Sequence, residues 1–200
     1  AERQAIFRKL FGSCGKNVNV KSTFRCDYGM NIHLGNDVFV NVECVICDCA
    51  PVHIGDGTLI GPQVGIYAVT HPLDAEERAQ GREWGEAVTI GNNCWIGGHA
   101  TINPGVTLGD NVIVMDTAVL RGVKDAPLTI GSNVLIGPRS YLTGCTVEDD
   151  VFIATGATVF NLALLKARSE VRINAIVHIK TVLPEDTVVP LGWVAVGDPA

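Results

Sequence analysis

Aliphatic residues return at every sixth position along most of this chain. The longest uninterrupted run is Ile90, Ile96, Ile102, Leu108, Val114 and Leu120. The same phase reads at Leu34, Val40 and Ile46, at Ile54, Ile60 and Ile66, at Ile130, Ile136 and Leu142, and then at Val147, Ile153, Val159, Leu165, Val171, Val177, Leu183 and Val189. An α-helix repeats about every 3.6 residues and a simple strand about every two, so neither explains a period of six. A parallel β-helix does. It has one flat side per hexapeptide and about eighteen residues per coil, with each aliphatic side chain pointing into a prism and stacking on its equivalent one coil away. Pairs such as Gly55-Asp56, Gly91-Asn92, Gly109-Asp110 and Gly131-Ser132 follow the aliphatic positions and suit the corners.

The phase slips from 46 to 54, 66 to 90, 120 to 130 and 142 to 147, where loops leave the prism or corner residues are lost. The largest slip contains a polar, charged excursion at 67–89, with Glu76, Glu77, Arg78, Arg82 and Glu83, and a histidine at its root, His71. Ahead of the repeats, Ile6, Phe7, Leu10 and Phe11 have helical spacing and Gly12 stops the pattern. Residues 1–12 therefore read as a helix capping the open edge of the first coil, because such an edge exposes unpaired backbone. No matching cover is visible in the closing stretch "GWVAVGDPA", and both ends read as trimmed. The expected fold is all-β, a parallel β-helix with a short N-terminal helix and a protruding loop.

Composition narrows the function. Fifteen Lys and Arg against 21 Asp and Glu give a net charge of −6, and no basic stretch exceeds a dipeptide. That excludes the electrostatic footprint of a nucleic-acid or anionic-membrane partner. No apolar run reaches membrane-spanning length and the N-terminus is not built as a signal peptide, so a cytoplasmic location is expected. The seven cysteines are odd in number and several lie in strand-like runs, which reads as reduced, buried thiols. "CVICDC" (44–49) lacks a second ligand cluster at zinc-finger distance.

Three segments carry a resemblance: "FRCDYGMNIHLGNDVFVN" (24–41), "PVHIGDGTLIGPQVGIYAVTHPLD" (51–74) and "VTIGNNCWIGGHATINPGVTLGDN" (88–111). Together they resemble the maltose/galactoside O-acetyltransferases among the hexapeptide-repeat transferases, over residues 1–113. The resemblance implies a left-handed coil, a homotrimer and acetyl transfer from acetyl-CoA to a sugar hydroxyl. It makes His71 the general base, a role that suits an imidazole titrating near neutrality. It makes Asn41 and Asp48 acceptor-side substrate-binding residues, Trp95 the indole that lines the site near the thioester, and the 67–89 loop a wall of the acceptor cleft against a neighbouring subunit.

Beyond residue 113 the family pattern changes. Met115 and Asp116 stand where the acetyltransferases carry small residues, and "VLRGVKD" replaces the Thr-Lys pair that holds CoA. Arg121, Lys124 and Arg139 offer only scattered positive charge there. Residues 114–200 resemble instead the C-terminal half of the γ-class carbonic anhydrase-like proteins. Pro138 and Thr143 stand in place of that family's zinc-binding histidines, and no histidine lies between His99 and His178, so no metal is expected. The run Leu162-Ala163-Leu164-Leu165 fills either a subunit interface or the place of a lost loop.

Two functions follow. The first is a chimeric or engineered trimeric scaffold with little or no turnover, its helical cap at 1–12, an acetyltransferase-like half at 13–113 and a carbonic anhydrase-like half at 114–200. The second is a working acetyl-CoA-dependent O-acetyltransferase with His71 as base. The segment 114–124 favours the scaffold, and the acceptor half favours the enzyme.

Overall fold

The computed structural model describes residues 2–197, and it is a left-handed parallel β-helix of nine coils. Three nine-stranded parallel sheets make the prism. The first face begins at Ser13–Cys14 and ends at Val182–Leu183, the second runs from Asn19–Val20 to Val188–Val189, and the third from Arg25–Cys26 to Val194–Ala195. The ladders place in-phase residues directly on one another, as in Ile66 on Ile102 on Leu120 along the third face. Every one of the 23 in-phase aliphatics from Leu34 to Val189 is buried.

A second inward row lies two residues before the first, and the sixfold reading did not include it. It mixes small groups such as Thr58, Cys94, Ala100, Ala118, Ser140, Cys145 and Ser169 with aliphatics such as Ile32, Val52, Val88, Val106 and Leu128, all buried. A place in this row accounts for Cys44, Cys94 and Cys145 being buried, whereas Cys14, Cys26, Cys47 and Cys49 are half-exposed; all seven are free thiols.

The N-terminal helix spans Glu2–Leu10. Phe7 and Phe11 pack at a ring separation of 5.9 Å, and Phe11 meets Phe24 edge-on at the same separation. Arg3 and Gln4 donate to the carbonyls of Val20 and Val18, which covers polar edge groups of the first coil. Ile6 and Leu10, counted in the apolar face by their spacing, are exposed; only the phenylalanine side of the helix meets the coil.

The ladders pass through residues 112–116 without a shift of register: Trp95 pairs with Ile113 and Ile113 with Leu135, while Thr101 pairs with Val119 and Val119 with Tyr141. Leu162–Leu165 is an ordinary rung rather than a replaced loop. Leu162 turns the corner at φ 62°, Ala163 and Leu165 point inward, and Leu164 points out. The last three residues of the terminal "GDPA" lie outside the described part.

Candidate active site

All the phase slips fall at one place, the corner between the third face and the first. Ile46, Ile66, Leu120 and Leu142 lie on the third face, and Ile54, Ile90, Ile130 and Val147 lie on the first. The chain's excursions therefore leave the prism along a single edge. The longest is a hairpin in which Val69 pairs with Gly85 and Thr70 with Trp84, antiparallel to each other. A short helix at its tip, Ala75–Ala79, is capped by the Asp74 carboxylate, which accepts the N–H groups of Glu76 and Glu77 at 2.9 Å. Arg78 donates to the carbonyls of Pro72 and Leu73 at 2.8 and 3.0 Å, pinning the backbone just after His71.

His71 is exposed, and its Nδ1 lies 3.2 Å from the Arg82 carbonyl oxygen. A carbonyl can only accept, so Nδ1 carries the proton and Nε2 keeps a free lone pair. This is the tautomer a general base needs, fixed by the loop that carries it.

A second, shorter excursion leaves the same edge at 122–127, closed by paired N–H···O bonds between Val123 and Ala126. Between the two overhangs lies a cavity of about 370 Å³. Its upper wall includes His71, Leu73 and Trp84, its back Pro104, and its lower wall Arg121 and Lys124. Trp84, Arg121 and Lys124 are thus neighbours of His71 that motif matching did not bring to it. The available signal was positional: the slips at 66 and at 120 both follow a third-face aliphatic.

The other expected site residues lie elsewhere. Trp95 stands half-exposed on the second face, between Leu59 and Ile113. Asn41 follows Val40 of that face, and its Oδ1 accepts the Val42 N–H at 2.8 Å, which leaves its Nδ2 uncommitted. Below Trp95 is a larger apolar hollow of about 530 Å³, walled by Met115, Leu135, Pro138, Phe152 and Ile173. Met115, which stands where the family carries a small residue, therefore lines a hollow rather than filling it. Asp48 is fully buried, and its carboxylate accepts N–H groups from Asp27, Tyr28 and Asn31 at 3.1, 2.9 and 3.3 Å. Its oxygens fix the 27–31 turn. The expected site residues therefore lie on two different edges: His71 beside two cations, and Asn41 with Trp95.

The comparisons with known proteins agree with the coil. The model for the bacterial transferase hexapeptide (six repeats) matches residues 87–122 and 127–161. A hexapeptide-repeat acetyltransferase from Vibrio cholerae is 30% identical, covering 78% of this chain and 75% of that one with a TM-score of 0.62. The chain belongs to the hexapeptide-repeat transferases. A maltose O-acetyltransferase from Clostridium difficile is 47% identical over 59% of this chain and 63% of that one, TM-score 0.58. A galactoside acetyltransferase solved in complex with coenzyme A is 37% identical over 67% of this chain and 64% of that one, TM-score 0.61. The chain spans 55 to 67% of the length of the first curated relatives it matches.

The first family match runs across residues 112–116, as the ladders do, which favours one continuous hexapeptide-repeat transferase over a join of two proteins. The relatives favour the acetyltransferase reading over the inactive scaffold. Among the described residues no group of three or more His, Cys, Asp or Glu side chains is placed to hold a metal, and no helix is long and apolar enough to cross a membrane.

Proposed function

We propose that this protein is an acetyl-CoA-dependent O-acetyltransferase acting on a sugar-like hydroxyl, with His71 as its general base. The observation that carries this reading is the Nδ1 hydrogen bond to the Arg82 carbonyl, which presents Nε2 as the proton acceptor beside a cavity. In the proposed step the acceptor oxygen attacks the thioester carbonyl carbon as Nε2 takes its proton. The tetrahedral intermediate then collapses with loss of the C–S bond. The imidazolium returns its proton to the leaving thiolate, giving an acetate ester and the free thiol. The galactoside acetyltransferase solved with coenzyme A supports this choice of donor.

A complete site requires a second copy, because Asn41 and Trp95 lie on a different part of the prism from His71. We assign them to the edge facing a neighbour's His71 in a homotrimer, where Asn41 Nδ2 meets the acceptor and Trp95 walls the thioester. Asp48 acts on the acceptor side as a positioning residue, through the turn it holds. Leu73, 99% exposed beside His71, supports this assembly as an apolar side chain that a neighbour would cover.

Thiol release from acetyl-CoA in the presence of a panel of sugars tests the chemistry. His71→Ala is expected to lower kcat by about 100-fold or more. Sedimentation tests the assembly. Full turnover by His71→Ala, or a monomer that turns over at the wild-type rate, would overturn the respective part.

A further inference from the structure

The lower wall of the His71 cavity carries two positive charges. Arg121 ends a third-face strand, and Lys124 projects from the turn after it. Among the described residues neither lies within ion-pair distance of a carboxylate; the salt bridges found there involve Arg82, Arg168 and Arg172. Arg121 is held from behind. The buried Asn103 donates its Nδ2 to the Leu120 carbonyl at 3.0 Å, which turns its Oδ1 toward an Arg121 Nη2 at 3.4 Å. Glu86 is the acid lining the cavity, its Oε2 against the backbone at Gly105 between the hairpin and the rung of Gly122. Asp125, next to Lys124, is exposed on the turn and does not line the cavity. The cavity thus pairs a proton acceptor at one end with an excess of positive charge at the other.

Resting on the proposed acetyl transfer, we infer that Arg121 and Lys124 select an anionic acceptor: a small polyhydroxylated compound bearing a carboxylate or phosphate about one sugar ring from the acetylated hydroxyl. Reach separates this from the other source of anionic oxygen, the phosphates of acetyl-CoA. The third-face strand ahead of the His71 hairpin pairs with Thr101–Ile102, and that strand pairs with Val119–Arg121, so Arg121 stands two rungs away. At about 4.8 Å per rung that is roughly 10 Å along the axis, shortened further by the arginine side chain. About thirteen bonds separate the thioester sulfur from the first phosphate of acetyl-CoA, roughly 15 Å when extended. A monosaccharide acid spans the shorter distance, and a 370 Å³ cavity is at the small end of the range for ligand pockets.

The 122–127 excursion gives this a structural basis. Its extra residues turn the corner outward under the hairpin, closing the cavity from below with Gly122 and Val123 and setting Lys124 at its mouth. A bidentate guanidinium and a mobile ammonium together suit carboxylate or phosphate oxygens.

Calorimetry on the full chain without acetyl-CoA, using a hexuronate, a hexose phosphate and the matching neutral hexose, tests the inference. The anionic sugars are expected to bind more tightly than the neutral one. Arg121→Gln and Lys124→Gln are each expected to weaken only the anionic sugars, by roughly tenfold. Lys124 is exposed, so its variant stays informative if Arg121→Gln misfolds. Equal binding of neutral and anionic sugars would overturn the inference. So would variants that raise KM for acetyl-CoA but not for acetyl-pantetheine while leaving sugar-acid binding intact, which would assign both cations to the donor's phosphates. The two proposals fail separately. Charge-selective binding without thiol release on any acceptor sinks the transferase reading alone, and turnover indifferent to acceptor charge sinks the anionic acceptor alone.

Discussion

The corner between the first and second faces is packed so closely that one methyl group should disrupt it. Gly91 follows Ile90 at this corner and lies directly over Gly109 of the next coil. A Cβ on Gly91 would come 2.4 Å from the Gly109 carbonyl oxygen, 2.6 Å from the Gly109 carbonyl carbon and 2.6 Å from Asp110 Oδ1. Two of these three atoms are backbone, so relief requires the rungs to separate by about 1 Å rather than a side chain to rotate. The same rungs are tied by Gly91 N–H to the Leu108 carbonyl at 3.0 Å and by Asn92 N–H to Asp110 Oδ1 at 2.7 Å. Losing both bonds costs about 2 kcal/mol and the residual overpacking about 1 kcal/mol more, so Gly91→Ala should destabilise by about 3 kcal/mol. For a chain of this size that lowers Tm by about 6–12 °C. The control is Gly81→Ala, at φ 74° with no atom within 4 Å, where only backbone strain of about 1 kcal/mol applies. Both variants are read by denaturant melts followed by circular dichroism at one fixed protein concentration, because assembly contributes to apparent stability. A Gly91→Ala melt within about 0.5 kcal/mol of wild type, or no larger a loss than for Gly81→Ala, would refute the argument from rung contact.

Other consequences can be measured on the same material. Asp48→Asn replaces an oxygen that accepts the Asn31 N–H with an amide group that cannot, in a fully buried position, and should cost about 2–3 kcal/mol in the same melts. Native protein treated with a thiol reagent at pH 8 should label at most Cys14, Cys26, Cys47 and Cys49, with all seven reacting after unfolding. Labelling of Cys47 should be slow, since burial and the neighbouring Asp27 push its thiol up to about 11; burial pushes Cys145 up to about 12. Asp56 is held below the usual carboxylate range by hydrogen bonds from the Asn36 backbone and side chain, and Asp186 by Arg168. Their stabilising contribution is present above the unfolded carboxyl pKa and is lost as pH falls through the lowered folded values. Asp56→Asn should therefore flatten the fall in stability below about pH 4, and an unchanged acid limb would count against the ladder's contribution.

The sixfold phase predicted the prism because burial on three equal faces leaves a signal in every hexapeptide, and no buried helix or alternating strand competes with it. The second inward row was hidden because it mixes aliphatics with small polar groups, so Thr58, Ser140 and Ser169 look like surface positions. His71 stood out through its motif and its place at the root of the largest slip. Trp84 did not, because a hairpin carried entirely outside the prism has no hexapeptide phase to locate its side chains. Asp48 reads in "CDC" as an acceptor-side acid, and only the fold shows its oxygens bonded to three backbone N–H groups.

Segment 112–124 gave the most misleading signal in the sequence, and the reason is physical. Judged by residue type, Met115, Asp116 and Arg121 are losses, since each replaces a group that the acetyltransferase pattern uses. Judged by position, they fall on two different edges. Met115 follows a second-face strand and lines the apolar hollow below Trp95, whereas Arg121 ends the next third-face strand and lines the cavity of His71. In a threefold coil, six residues of sequence move a side chain to another face, so a short stretch of substitutions can alter two edges at once without changing a single rung. The four residues that lengthen the step from Leu120 to Ile130 bring Lys124 beneath the hairpin. A departure from the family pattern that reads as decay in a linear alignment is, on the prism, a set of side chains divided between two edges, with Met115 lining the apolar hollow and Arg121 and Lys124 lining the cavity of His71.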